Sequence, residues 1–395
     1  VQRAAADGHG RLLLALGLAA GPLVALGLAR FAYALLLPAM SEDLDWSYSA
    51  AGALNTTNAA GYLVGALVAT PLARAVGSRR SFLGGTVVTT LAIGLTAATS
   101  QYAVLLTIRF VAGLAGAVAF IIGAVLVAEA SHRGSRGRAA VLLGVYFGGA
   151  GGGIVVAGLL VPWILGVTDG AGWRQGWLAL AAAALVATVA AVLSARHVGD
   201  PAPAEEHARR WDRRLIGWVV LAYTCFGLGY IAYLTFISAY LTEQGMSGPV
   251  IAGFWAVVGT AAAVSGLAWG PVLGRLGGSR GMVVVMIALA GGTVLPVVLE
   301  GPVAAYLSGA VVGGSFLAVV TAVSISVRET LPQPHWTAGI AFATIAFGLG
   351  QTVGPTLTGW VSDLSADLGT GLLLSAAILV VGAGVALLQP RPARP

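Results

Sequence analysis

Lysine is missing from this chain, and residues of either charge make up only 9% of it. A soluble globular domain carries about 25% charged residues. A soluble chain of this composition would have no surface to keep it in water. Cysteine occurs once, at Cys225, which excludes an intramolecular disulfide and any cysteine-based zinc spacing. There are fifteen acidic residues, and none falls in the middle of a long apolar run. The histidines (His9, His132, His197, His207 and His335) also lie at or beyond the edges of such runs. No nucleophile–base pair and no metal-ligand cluster can be assembled inside the apolar segments. An enzyme is therefore not expected, and neither is a cofactor or a bound metal.

What is present is apolar. The chain is 58% hydrophobic and holds 57 glycines. About 20 apolar residues cross a bilayer as a helix. Membrane β-barrels alternate polar and apolar residues, whereas runs such as "LALAAAALVATVAAVLSA" do not. The expected fold is an all-α membrane protein with twelve spans, near 12–38, 47–72, 81–99, 102–128, 139–165, 177–195, 215–241, 250–273, 282–299, 303–327, 337–361 and 370–389. The first run is far longer than a signal h-region and a second follows closely, so no cleavable signal peptide is expected. One long polar connection, 196–214, separates a six-helix bundle at 1–195 from another at 215–395.

The arginines orient these spans. With the N-terminus taken as cytoplasmic, eighteen of the 21 arginines fall on the inner side, and only Arg174 falls on the outer. The positive-inside rule then places both termini and the linker in the cytoplasm. The basic balance, +6, reflects membrane orientation and not nucleic-acid binding. The expected partners are the lipid bilayer and a small molecule, and the chain is expected to act as a monomer in a bacterial-type cytoplasmic (inner) membrane.

The two halves repeat at a constant offset of 200: Pro71 and Pro271, Gly77 and Gly277, Arg80 and Arg280, Gly113 and Gly313, Glu129 and Glu329, Phe147-Gly148 and Phe347-Gly348. "GLARFAY" (27–33) is answered by "GLGYIAY" (227–233), with Arg30 replaced by Tyr230. Parallel six-helix repeats are one of the secondary-transporter architectures.

The loop "TPLARAVGSRR" (70–80) resembles the GxxxDRxGRR signature of the major facilitator superfamily, keeping Gly77, Arg79 and Arg80 but lacking its first Gly, its Asp and its first Arg. Its copy "GPVLGRLGGSR" (270–280) keeps Gly270, Arg275, Gly277 and Arg280, again without the Asp. "RFVAG" (109–113) is similar to that superfamily's RxxxG motif. "GLARFAYALLLPAM" and "GLGQTVGPTLTGW" resemble its YbfB/YjiJ-type bacterial branch. The resemblance covers nearly the whole chain. It implies transport by alternating access, with spans 1, 4, 7 and 10 lining a central cavity.

Arg30 and Arg109 are the basic residues within spans, and no acid shares the membrane interior with them. Each costs ~2.5–3.5 kcal/mol at a helix centre on insertion scales. Both lie about 11 Å inside the outer boundary at ~1.5 Å rise per residue. Two guanidinium forks at one depth suit a carboxylate or phosphonate; the alternative is that each arginine bonds to backbone carbonyls or snorkels outward. Tyr33, Asn55, Asn58, Tyr230, Tyr233 and Gln351 are further candidate substrate contacts, with the alternatives that the asparagines join helices and the tyrosines pack. Arg79, Arg80, Glu129, Arg280 and Glu329 are expected to form ion pairs that hold one conformation. The expected function is secondary or facilitative transport of a small organic anion. The alternative is a proton-coupled drug or metabolite efflux antiporter with Arg109 in a coupling role. With no acid at mid-membrane, uniport, exchange or co-movement of a proton on the substrate fits better than a carboxylate-driven pump.

Overall fold

A computed structural model describes residues 10, 12–131, 136–199 and 212–390 of the chain. Most of the expected linker, 200–211, lies outside them, as do Arg3, Arg11, Arg133, Arg209, Arg210, Arg391 and Arg394. The described residues are helical almost throughout and contain no strand. The long helices are α1 (Leu12–Leu44), α2 (Tyr48–Val76), α3 (Ser78–Thr96), α4 (Tyr102–Ser131), α5 (Arg136–Val167) and α6 (Trp173–Ala195). They continue with α7 (Gly217–Glu243), α8 (Gly248–Leu276), α9 (Gly278–Val298), α10 (Pro302–Thr330), α11 (Trp336–Ser365) and α12 (Leu368–Leu387).

Eleven of these helices are long and apolar enough to cross a membrane. The exception is α3, whose first turn carries Arg79 and Arg80 and so lowers the hydropathy; Thr86, Thr89, Thr90 and Thr96 lie further along it. All four hydroxyls donate to the carbonyl four residues back, at 2.8–3.0 Å. The helix thus satisfies its own polar groups, as apolar surroundings demand.

The chain forms two compact units: Val1–Ala39 with Thr57–Glu205, and Met40–Thr56 with Glu206–Pro395. The division runs through α2, whose first turns group with the second unit and whose remainder groups with the first. No linker-like composition marks that point. In the first unit α3 packs on α4, α1 on α5, and α3 on α6. In the second, α9 packs on α10, α7 on α11, and α9 on α12.

Small residues set these approaches. A Cβ on Gly113 of α4 would come within 2.0 Å of the Asn58 carbonyl oxygen of α2. A Cβ on Gly313 of α10 would come within 2.4 Å of the Val258 carbonyl oxygen of α8. Two glycines of "GGAGGG" serve α1: Gly149 faces the Ala19 carbonyl, and Gly153 meets Leu23 and Gly27. Gly77 (φ 93°) and Gly277 (φ 77°) turn the chain between successive helices in a backbone region that favours glycine. Both are conspicuous members of the sequence repeat.

The middle of α1 departs from α geometry. Leu23–Phe31 is π-helical, and the Ala32 N–H reaches the Gly27 carbonyl five residues back. A π stretch is rare and is frequently found at functional sites. Here it carries Arg30.

Candidate functional site

The first unit gathers its buried charge around this π stretch. Arg109, on α4, is 1% exposed, and Arg30 is 4% exposed. Nη1 of Arg109 donates to the main-chain carbonyl of Ala29, next in sequence to Arg30. The guanidinium of Arg109 lies 4.9 Å from the ring centre of Tyr33 and 5.6 Å from that of Trp177, on α6. That of Arg30 lies 5.4 Å from the ring of Tyr62. Aromatic faces are the neutral surface that best tolerates a desolvated cation. Nε and Nη2 of Arg109 have no hydrogen-bond acceptor among the described residues.

Asn58 is placed beside this cluster. Its Nδ2 donates to the backbone carbonyl of Arg109 at 3.0 Å, so it holds α2 to α4 directly under the arginine. Gly113, one turn beyond Arg109, admits the Asn58 backbone. The "RFVAG" spacing thus places a charge and the gap that lets α2 approach it on one helical face. Asn55 is not brought to the cluster. Three residues before Asn58, it groups with the second unit and donates to Thr235 Oγ1 on α7.

The second unit has no cation at the matching positions. Tyr230, which replaces Arg30 in the repeat, receives a hydrogen bond from Nε2 of Gln351 on α11. Its ring stacks on Phe226 with centres 4.4 Å apart and lies 5.8 Å from Phe347 and 6.0 Å from Phe316. Tyr223 extends the stack onto Phe347 at 4.5 Å. Tyr233 is turned elsewhere. It is fully buried, and its hydroxyl meets Ser308 Oγ, which in turn donates to the Gly292 carbonyl at 2.6 Å.

At the other end of the helices, Arg79, Arg80, Glu129, Arg280 and Glu329 are exposed. Glu329 Oε2 accepts from the Gly278 N–H at 2.9 Å, so this carboxylate caps the start of α9. An acid at a helix N-terminus is favoured by the helix dipole. Arg280 is two residues further on in that helix. The sequence offered no sign that Trp177, Phe316 or the Ala29 carbonyl belongs to a site, and Phe347 stood out only as a position of the repeat. The three rings look like any aromatic residue in a span, and a carbonyl carries no signal in a sequence.

The family described as "Uncharacterised MFS-type transporter YbfB" matches residues 22–387. The chain is 28% identical over 389 residues to a chloramphenicol resistance protein of Streptomyces lividans, covering 93% of this chain and 95% of that protein. It is 26% identical over 386 residues to the inner membrane transport protein YdhP of Escherichia coli strain K12, covering 95% and 94%. Among solved structures, a point mutant of the nucleoside transporter NupG superposes with a TM-score of 0.76 at 14% identity, over 95% of this chain and 99% of that one. A bacterial homologue of the human lysosomal transporter Spinster, inward-facing and unoccupied, gives 0.73 at 14% identity, over 96% and 97%. At that identity the likeness is one of fold.

Proposed function

The chain belongs to the YbfB family of MFS-type transporters, and from that premise we propose that it moves a small organic anion of carboxylate type across the bacterial cytoplasmic membrane by alternating access. The observation that carries the substrate class is Arg109. Its guanidinium is buried, holds one carbonyl, and keeps Nε and Nη2 without an acceptor among the described residues. Arg30 lies nearby with a second positive charge. A buried donor without an acceptor costs about 1–3 kcal/mol, and more when charged. A carboxylate that accepts from these donors recovers that energy and neutralises a cation.

The topology proposed is twelve spans in two six-helix repeats, with both termini cytoplasmic. Three observations support it. The threonines of α3 are satisfied internally, which suits that helix to lipid. Helix pairings α3–α4, α1–α5 and α3–α6 recur six helices later as α9–α10, α7–α11 and α9–α12. The Gly113–Asn58 approach recurs at Gly313–Val258, at the offset of the sequence repeat. Its curated relatives named here are a resistance protein and a membrane transport protein, which supports a carrier over an enzyme.

A second reading has its own support. The relative named for chloramphenicol resistance and the aromatic stack around Tyr230 favour export of a neutral aromatic compound by proton-coupled antiport. One experiment separates the two. Purified protein is melted in the presence of mono- and dicarboxylates, phosphonates, amphenicols and cationic drugs. Stabilisation by carboxylates or phosphonates that disappears in Arg109→Ala is the expected result. Stabilisation confined to amphenicols or cations would overturn the anion reading in favour of efflux.

A further inference from the structure

We propose that the carried anion is an arenecarboxylate, whose ring packs against Tyr62, Phe120 and Phe147 while its carboxylate meets the arginines of the first unit. This rests on the anion reading above and adds to it the organic part of the substrate.

Tyr62 joins the charge to the rings. The guanidinium of Arg30 lies 5.4 Å from its ring centre. Phe120, on α4, lies 6.4 Å from Tyr62, and Phe147, on α5, lies 5.5 Å from Phe120. Tyr146 completes the group, 6.4 Å from Phe120 and 5.3 Å from Phe147. It is fully buried, and its hydroxyl donates to the Phe120 carbonyl at 2.7 Å. That bond ties α5 to α4 at the cluster. Helices α2, α4 and α5 thus supply four rings, and α1 supplies the cation beside them.

Helix packing alone does not call for these rings. At the offset of 200, Tyr62, Phe120 and Tyr146 are answered by Ala262, Val320 and Ala346, and only Phe147 keeps a ring, as Phe347. The second unit repeats the helix pairings without three of the four. They occur in the half that carries Arg30 and Arg109.

The two ring groups also differ in geometry. Phe347 joins Tyr223, Phe226 and Tyr230 in a stack whose planes differ by 2–17°. There, ring faces cover ring faces. In the first unit the planes are inclined by 36–69°. Phe147 is 44% exposed, and Tyr62 and Phe120 are half-buried. Gly144 and Gly148 flank Phe147 on one face of α5. A Cβ on either would meet no described atom within 4 Å, so the space beside Phe147 is open. Inclined rings at these spacings are in edge-to-face contact, and one further ring extends the same pattern. An apolar surface with a cation at its edge matches a molecule with a ring at one end and an anion at the other. An aliphatic tail would gain only the burial; an arene gains the burial and the ring–ring contact.

The test titrates the full chain, in lipid nanodiscs, by calorimetry with benzoate, phenylacetate and cyclohexanecarboxylate. The last resembles benzoate in charge and size but has no π face. The better of the two arene acids is expected to bind about fivefold or more tightly than cyclohexanecarboxylate. Phe147→Leu is expected to bring the two acids within about twofold of each other. Phe147 is exposed, so this change leaves the fold standing, as the melting temperature without ligand would report. Phe120→Leu repeats the test on a second ring. Equal binding of the arene and cyclohexane acids by the parent would overturn the proposal and leave the anion reading intact. An arene preference that survives both substitutions would also overturn it, because the ring would then sit elsewhere. Binding of no carboxylate or phosphonate at all would remove the anion reading, and this proposal with it.

Discussion

The two units solve the same problem of burying polar groups, and they solve it differently. Around α7, α10 and α11, the hydroxyl of Tyr230 meets Gln351, that of Tyr233 meets Ser308, and the rings stack on phenylalanines. Around α1 and α4, two arginines lie against Tyr33, Tyr62 and Trp177, and Arg109 keeps two donors in hand. Position 30 carries the charge, and its repeat position, 230, carries the ring. The hydroxyls of Tyr230 and Tyr233 are thus paired within the second unit, whereas Arg109 in the first leaves two donors without an acceptor among the described residues. On the function proposed above, that difference puts the anion at the first unit.

Removing the cation should break this contrast most. Arg109→Ala is expected to abolish carboxylate uptake in proteoliposomes, a loss of at least about a hundredfold, because a charge-assisted pair and its geometry go together. Arg109→Lys should recover only part of it, since an ammonium cannot reproduce the planar fork. Uptake by Arg109→Ala equal to that of the parent would mean that the arginine only braces Ala29. Arg30→Tyr copies the second unit's residue into the first. It is expected to weaken carboxylate binding by about tenfold, one charge of the two being kept, as measured by the ligand-induced shift in melting temperature.

Smaller effects are expected in the second unit. Gln351→Leu removes the donor to Tyr230 and should lower stability by about 1 kcal/mol. Carboxylate affinity should stay within about threefold of the parent, well under the tenfold that 1.4 kcal/mol represents. A larger loss of affinity than of stability would move the anion site toward Tyr230. The least effect is expected at Asp367, the local cap of α12. Hydrogen bonds from the Thr370 hydroxyl, and then from the backbone N–H groups of Thr370 and Gly369, hold its carboxyl below the usual carboxylate range. A depressed pKa means that the carboxylate stabilises the fold above its unfolded value and that this support is lost as pH falls through the lower, folded value. Asp367→Ala should cost about 1 kcal/mol near neutrality. The difference from the parent should close in acid, as pH-dependent melting curves can report.

Much of this was legible in the residues, and the failures are as physical as the successes. Helix positions followed from run length, because a bilayer accepts only backbone that bonds to itself. The value of Gly77 and Gly277 was visible in the repeat, and their positive φ supplies the reason. The pair Asn55 and Asn58, on one helical face by spacing, did not behave as a pair, because one partner is Thr235 and the other is the Arg109 backbone. Spacing assigns a face. It does not say which neighbour that face will meet.

Composition, run length and the lopsided placement of arginine were enough to make this an all-helical membrane chain, since each reflects the local exchange between one residue and its solvent. Arg30 and Arg109 could be singled out in the same way, as charges where charge is expensive. Their surroundings could not. The π stretch of α1, the Ala29 carbonyl offered to Arg109 and the carboxylate of Asp363 at the start of α2 each join positions far apart in the chain. Such contacts depend on how closely two backbones approach, and only the assembled helices determine that distance.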